Sequence, residues 1–578
     1  MKLSDKSKRL GVFIFYDKDY IIDDYEIYML NSLKEAVDDI IFVSNSKIKK
    51  DELKKLSNIT KNVELRENKG LDAGAFKHIY DKYGADYFKK YDELILLNDT
   101  FYGPFKPFKQ IINEMNDKDL DFWGLTANYE SDDGTSKAVD GFIHSHIQTY
   151  FIAFRKTVLE SEFFQKYWAN YKIEKMDSFI DVVNKHESYF TYRLENEGFK
   201  WDTYINLSHY KSDKRENNYN IYGYSAYTLL KYYNFPIIKR KNFVFPKDAA
   251  MYINSGIDTK MALDYIKDYT DYDVNLIYKN LLRLYHPIDL YHGLNLNYVV
   301  DEDAKKTKNK NCIYININDD KVCDILRYYI SNIKNSDVII TTEADIELDG
   351  IIKVPDAYKY VYSKRNELEK KYDYFCIINI EKQRQDIQER IDSDIIRIFE
   401  NSIKNDGYIN GVNKIFDENQ NIEALFMPCS FHNRHFKKLT RYEWRNIFYS
   451  IDIKNIGNKI TLDYSKFIVK NYKSVWFRTS LLDSMPNVNL NLKQYIAILH
   501  EFVNKDNMLV GKIYNKDYMS NDILCYEVAF RYMINTDKIV LSFPDRLLVF
   551  NQKATIFRRA FRRIVPFSVR KKIKSIRK

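Results

Sequence analysis

The chain is poor in cysteine, glycine and proline, and it contains no long apolar run. Its five cysteines, Cys312, Cys323, Cys376, Cys429 and Cys525, lie far apart and form no CxxC. That spacing excludes a disulfide framework and a cysteine zinc site, and it points to reduced core thiols of a cytoplasmic protein. Only 17 Gly and 10 Pro occur in 578 residues, which excludes a collagenous or low-complexity chain. Nowhere do about 18 apolar residues run together, so no membrane-crossing helix is expected. The opening MKLSDKSKRLGVFIFYDKDY has too short an apolar core for a signal peptide.

Acidic residues are missing from one place in particular. The last 26 residues, Lys553–Lys578, hold eleven Lys or Arg and no Asp or Glu, and the rest of the chain carries 79 basic against 81 acidic residues. The formal charge of +9 is therefore a property of the tail, while the body is near neutral. In the tail Phe557, Phe561 and Ile564 share a helical face opposite the arginines, a pattern suited to lying on an anionic membrane surface. A basic arm on nucleic acid is the rival reading, and a solvated tail is the plain one. The interleaved apolar face favours the membrane, so no nucleic-acid partner is expected and the protein is placed at the inner leaflet.

What is present describes a soluble globular protein: 45% apolar and 30% charged residues, with 49 Tyr and 36 Phe. A chain of this length exceeds a single core and calls for two or more domains. The first hundred residues alternate between strand-like and helix-like segments. LGVFIFYD, DIIFVSNS, NVELREN and ELILLND read as strands. DDYEIYMLNSLKEAV, with Ile27, Leu30 and Leu33 on one face, ELKKLSNIT and KHIYDKYGADYFKKY read as helices. This alternation implies a parallel sheet covered by helices, with ligands bound at the carboxyl ends of its strands. Tyr16-Asp17, the Asn68–Gly74 loop and Asn98-Asp99 are then expected on one rim.

The chain also repeats itself. CIYININDDKVCDILRYYISNIKNSDVIITTE from Cys312 follows the plan of residues 11–46, and YDYFCIINI from Tyr372 echoes YDELILLND. SVWFRTSLLDSM from Ser474 echoes TYFIAFRKTVLES, and NDILCYEVAFRYMIN from Asn521 echoes NKHESYFTYRLENEG. Four echoes in the same order indicate two copies of one α/β module. The expected domains are 1–207, a Tyr-rich helical connection over 208–303, a second module over 304–550, and the tail 551–578. The connection contains YSAYTLLKYYNFPIIKRKNFVF, to which no chemistry is assigned.

Each chemical candidate has a plain alternative. Asp99, just past a buried strand, suits a metal or nucleotide contact and equally an Asx-turn. Asn68, Gly70, Asp72 and Gly74 precede a helix, where glycines admit a close ligand, yet Asp72 also suits an N-cap. Glu187 opens the helix of HESYFTYRLENEG, as a general base or as a charge favourable to the helix dipole. Trp123 would stack on a sugar or fill the core. His144 and His146, two apart, would project together from a strand toward a metal or a polar acceptor, with Gln148 beside them.

Taken together, LLNDTFYGPF, DFWGLTANYE, HIQTYFIAFRKTVLES and ENKGLDAGAF resemble the rhamnan synthesis protein F family of bacterial glycosyltransferases. The likeness is dense over about residues 10–205 and looser to about residue 545. It implies two nucleotide-diphospho-sugar transferase modules of the GT-A, Rossmann-like kind, with dTDP-L-rhamnose as donor, a lipid-linked glycan as acceptor, and inversion. On that resemblance Asp99 stands where relatives keep Asp-x-Asp, and Glu187 is the base. Asp17, Asn68 and Asp72 line the donor's nucleotide. Gly70 and Asn98 join the donor side from their places on the rim, and Trp123, His146 and Gln148 are expected as acceptor contacts from their own chemistry. Asn98-Asp99-Thr100 replaces Asp-x-Asp, so Mg²⁺ or Mn²⁺ at Asp99 stays open, and Lys or Arg could neutralise the diphosphate instead. In the second module Asn379 matches Asn98 but Ile380 replaces the acid, so that copy is expected to be non-catalytic. The rival from another class is a non-catalytic glycan-binding or scaffolding protein.

Overall fold

The computed structural model describes residues 1–132, 142–172, 182, 186–208, 221–244, 257–285, 290, 294, 296–382, 395–427, 473–505 and 508–519. The tail, the echo from Asn521, Cys429 and Cys525 lie outside the described residues. Two compact units divide the chain, the first taking in Met1–Asn280 and the second beginning at Leu281.

In the first unit the strands are β1 (Arg9–Phe15), β2 (Asp39–Ser44), β3 (Asn62–Leu65), β4 (Glu93–Asn98), β5 (Phe101–Tyr102), β6 (Phe122–Gly124) and β7 (Ala127–Asn128). They continue with β8 (Ser131–Asp132), β9 (Phe142–Ile143), β10 (His146–Ile147), β11 (Phe151–Arg155), β12 (Trp201–Thr203) and β13 (Ile238–Lys239). Seven form one sheet in the order β3-β2-β1-β4-β11-β6-β12. β11 runs antiparallel to both its neighbours, and the remaining pairs are parallel. β1 and β4 are buried along their whole length, which accounts for their continuous apolar sequence. Phe76, Ile79, Phe154, Phe164, Trp168 and Phe190 close one face in a shared core.

The amino ends of β1 and β4 hold a buried charge cluster. Glu93, 1% exposed, takes Arg9 at 3.0 Å and Arg155 at 3.5 Å, and it accepts the Trp123 indole N–H at 2.8 Å. Each charge there has a partner, as burial demands.

The second unit adds β14 (Asn297–Val299), β15 (Asn311–Ile317), β16 (Asp337–Thr342), β17 (Ile351–Lys353), β18 (Tyr374–Ile380), β19 (Ile422–Phe426), β20 (Ser474–Arg478) and β21 (Leu509–Tyr514). Its sheet order is β17-β16-β15-β18-β20-β19-β21-β14. Strand for strand this is the first sheet again with β14 added, and β20 is the antiparallel member in the place of β11. Three of the four sequence echoes therefore fall on matching strands.

The copies also share hydrogen bonds. Tyr91 donates to Asp39 as Tyr372 does to Asp337, and Asp92 takes the Lys8 N–H as Asp373 takes that of Lys310. Arg155 donates to the Met115 and Leu120 carbonyls, and Arg478 likewise to those of Phe416 and Ile422. Each arginine thus caps the carbonyl end of the helix before the next strand. The chain is a duplicated α/β module.

The segment from 208 was expected to be a separate connection. Its described part instead belongs to the first unit, as far as Asn280. β13 pairs with β5, Ile238 opposite Tyr102 and Lys239 opposite Phe101. Tyr102 donates to Asn280 at 2.6 Å, and Tyr222 to the Ala127 carbonyl at 2.9 Å. The edge strand β5 and these buried hydroxyls need partners, and the later segment supplies them.

Candidate active site

The carboxyl ends of β1, β2, β3 and β4 meet on one rim because these strands are parallel neighbours. At the exit of β4, Asn98 makes the turn: its side-chain oxygen accepts from the Thr100 N–H at 3.1 Å. Asp99 does not. Its carboxylate, 5% exposed, accepts the Tyr16 N–H at the exit of β1, 3.3 Å away. The Asx-turn expected at Asp99 is thus made by its neighbour, which leaves the acid facing the rim. Burial raises the pKa of Asp99, while Arg240 and the Tyr16 N–H oppose the rise.

Asp72 is not the N-cap of its helix. The Leu71–Tyr83 helix starts after Gly70, which has φ of 70°, a conformation suited to glycine. Gly74 packs so tightly that a Cβ would meet the Lys69 carbonyl oxygen at 2.0 Å. Asp72 is thereby turned toward β4, where its carboxylate accepts the Asn98 side-chain amide. Burial pushes its pKa up to about 7, helped by Asp99 and Glu187 and opposed by the Asn98 hydrogen bond. Asp72 accordingly feels both acids, which places the three in one field.

Asp17, 5% exposed, accepts the backbone N–H groups of Asp19 at 2.9 Å and Ile21 at 3.1 Å, so it shapes the loop after β1. Asn68 is exposed on the loop after β3.

Glu187 precedes the Ser188–Asn196 helix and makes no side-chain cap. Its carboxylate leaves that helix and accepts the Thr149 N–H at 3.3 Å, which brings it to the HIQT segment. The plain reading, an acid serving its own helix end, does not describe this contact.

The acceptor candidates fare differently. Trp123 is fully buried, tilted against Phe151 and bonded to Glu93, so it is a core residue and not a sugar platform. Its polar N–H needed a buried acceptor, which the amino end of β4 provides. His144 and His146 do not project together. The His144 ring stacks on Tyr192 at 3.8 Å, whereas His146 is 1% exposed with Nδ1 2.6 Å from the His144 carbonyl. Burial lowers the pKa of His146, partly offset by Glu187. Gln148 is also buried, its side-chain oxygen accepting from Thr126 at 2.8 Å. Both lie beside Glu187 but are bonded inward.

The sequence reading missed Lys239, Arg240 and Lys241. β13 carries Lys239 to the rim, where its ammonium lies 4.2 Å from the centre of the Tyr150 ring. Burial, reinforced by Lys241 and opposed by Glu187, pulls the Lys239 pKa down to about 7. Arg240 donates to the Tyr25 hydroxyl at 3.1 Å, and that hydroxyl donates to the Asp99 carbonyl at 2.9 Å. The signal was the KRK run itself, a basic triplet in an apolar context.

A protein-built divalent cation site needs several oxygen ligands. Among the described residues no group of three or more His, Cys, Asp or Glu is placed to hold an ion. Asp99 stands with Arg240 in its field, a donor set that does not fit such a site. In the second unit the position of Asp99 is taken by the buried Ile380, and Asn379 accepts the Asn316 amide at 2.9 Å.

Solved structures similar to the chain include a protein from Desulfovibrio desulfuricans G20 assigned as a nucleotide-diphospho-sugar transferase. It is 15% identical, with 34% of this chain and 79% of that one covered and a TM-score of 0.21. Core-mannan synthase A of Aspergillus fumigatus, in a Mn/GDP form, is 10% identical, with 34% and 74% covered and a TM-score of 0.21. The glycosyltransferase GlyE of Streptococcus pneumoniae is 10% identical, with 67% and 88% covered and a TM-score of 0.22. No curated protein matches the chain. The family model of rhamnan synthesis protein F matches residues 40–515, most of the sequence, and the chain belongs to that family.

Proposed function

We propose that this protein is a glycosyltransferase of polysaccharide synthesis that moves L-rhamnose from dTDP-L-rhamnose to a lipid-linked glycan, inverting the anomeric carbon. Family membership supports polysaccharide synthesis, and the rhamnan of the family's name supports the sugar. One observation carries the catalytic reading. Glu187, from a distant helix, accepts the Thr149 N–H, and the next residue, Tyr150, accepts the Asn98 N–H at the exit of β4 at 3.1 Å, while the Glu187 carboxylate is not consumed as a helix cap.

In this reading Glu187 takes the proton of an acceptor hydroxyl as that oxygen bonds to the anomeric carbon. The bond from that carbon to the diphosphate breaks, and its electron pair leaves with the nucleotide. Asp99, fixed by the Tyr16 N–H, and Asp72 orient the donor's sugar and nucleoside. General-base action of this kind contributes roughly 10²- to 10⁴-fold.

The second module, lacking the acid at Ile380, acts as a partner domain without transfer activity. The anionic membrane surface is the partner assigned to Lys553–Lys578, which places the enzyme on the inner leaflet. No helix among the described residues is long and apolar enough to cross a membrane.

The test is transfer from a panel of nucleotide sugars to a lipid-linked acceptor by the full chain. Glu187→Gln and Asp99→Asn should each abolish it. Retention of transfer by both variants would remove the catalytic assignment and leave a glycan-binding role.

A further inference from the structure

We propose that Lys239 and Arg240 receive the departing diphosphate, supplying at this rim the positive charge that a divalent ion would otherwise supply. The inference rests on the glycosyltransferase reading above and deepens it.

Lys239 is the first observation. It is 8% exposed, and its ammonium sits over the rings of Tyr150 at 4.2 Å and Tyr222 at 5.8 Å. No ion pair to it occurs among the described residues, although Glu187 acts on it from farther away. Burying an ammonium without a paired carboxylate is costly, because the lost hydration is not replaced. The fold gains from the charge only these two cation–π contacts, since β13 itself is held by backbone pairing to β5. A methionine would pack there at less cost. A buried charge without an ion-pair partner, in the field of Glu187, is a mark of function.

Arg240 is the second. Its backbone N–H donates to the Thr100 carbonyl at 3.0 Å, and its guanidinium bonds Tyr25 and opposes the pKa rise of Asp99. Asp99, Thr100 and Phe101 thus run alongside Lys239 and Arg240 as one hydrogen-bonded unit. The cations are held by strand geometry, which gives the preorganisation that electrostatic stabilisation of a leaving group requires.

The rim's other charges make such cations necessary. Asp17, Asp72, Asp99 and Glu187 would repel a diphosphate, and no protein-built ion site offsets them among the described residues. As the bond from the anomeric carbon to the phosphate oxygen breaks, the electron pair settles on the diphosphate. Lys239 and Arg240 then hold more negative charge than in the ground state, and no proton need move. Arginine and lysine donors to phosphate form charge-assisted hydrogen bonds of this kind.

The experiment is calorimetric titration of the full chain, in EDTA, with dTDP, UDP and GDP, and with the matching nucleosides. The expected result is diphosphate binding by the wild type without metal. Lys239→Met and Arg240→Met should each weaken it by roughly ten- to a hundredfold, Lys239→Arg should restore it, and nucleoside affinity should stay unchanged. The inference is overturned if the variants bind diphosphate as tightly as the wild type, or if the wild type binds only once Mn²⁺ is added. Failure of the wild type to bind any nucleoside diphosphate, with or without metal, would overturn the glycosyltransferase reading as well.

Discussion

The side-chain amide of Asn98 donates to the carboxylate of Asp72, joining the exit of β4 to the helix that follows β3. The bond holds Asp72 in a place where burial raises its pKa from 3.8 to about 7. An acid whose folded pKa is raised binds its proton more tightly when folded. That contribution to stability is full below pH 3.8, and it is lost as the pH rises through about 7. Asp99 is shifted in the same direction.

Asp72→Asn should therefore gain stability relative to the wild type as pH rises. An amide at this position keeps a partner for Asn98 and removes the titration. Thermal unfolding at pH 5 and pH 8 checks this: the difference in midpoint should move in the variant's favour at pH 8. Donor affinity should follow, falling roughly tenfold from pH 6 to pH 8 in the wild type, as expected for one added negative charge beside a diphosphate at about 1.4 kcal/mol. The variant should keep only the part of the fall that belongs to Lys239, whose own pKa also lies at about 7.

Glu187→Gln preserves an oxygen for the Thr149 N–H and removes the proton acceptor. Turnover should drop by roughly 10²- to 10⁴-fold, while the affinity for nucleoside diphosphate does not fall, because the variant removes a negative charge from the rim. Single-turnover kinetics beside calorimetry separates the two quantities. A parallel loss of binding would mean that Glu187 holds the structure and does no chemistry.

Much of this rim could be read from sequence because parallel sheets place strand exits together. The runs ending at Asp17 and Asp99 declared their own exits, and three of the four serial echoes matched the duplicated strand order. Two features were not legible. Lys239 reaches the rim through a two-residue pairing with β5, about 140 residues from Asp99 along the chain, and so short a strand leaves no periodic signal. Trp123, read from its side chain alone, suited a sugar platform and a core position equally. Its burial depends on Glu93 across the sheet, a partner that sequence order does not reveal.

Trp123→Phe tests that correction. The ring against Phe151 is kept, and the hydrogen bond to the buried Glu93 is lost. Hydrogen bonds to charged groups contribute roughly 1.5–3 kcal/mol, so urea unfolding should show a loss of that size. The KM for acceptor should not change. An acceptor KM that rises while stability holds would return Trp123 to the sugar site.

Gly103 packs against the segment that leads into β13. Its φ is 124°, and a Cβ there would meet the Pro236 carbonyl oxygen at 2.8 Å, the same oxygen that accepts the Phe105 N–H at 2.7 Å. Gly103→Ala should therefore push Pro236 away and loosen the strand that carries Lys239 and Arg240. Nucleoside diphosphate affinity should fall at least about tenfold, the loss of one charge-assisted contact. Gly198→Ala is the control: its φ is 91° but nothing lies within 4 Å of the added carbon. Both alanines incur backbone strain of about 1–2 kcal/mol, so both should lower the unfolding midpoint. Only the one at Gly103 should weaken binding, because only there does the added carbon displace the segment that brings charge to Asp99. Equal loss of binding in both variants would mean that the affinity tracks global stability and that β13 has no special part in it.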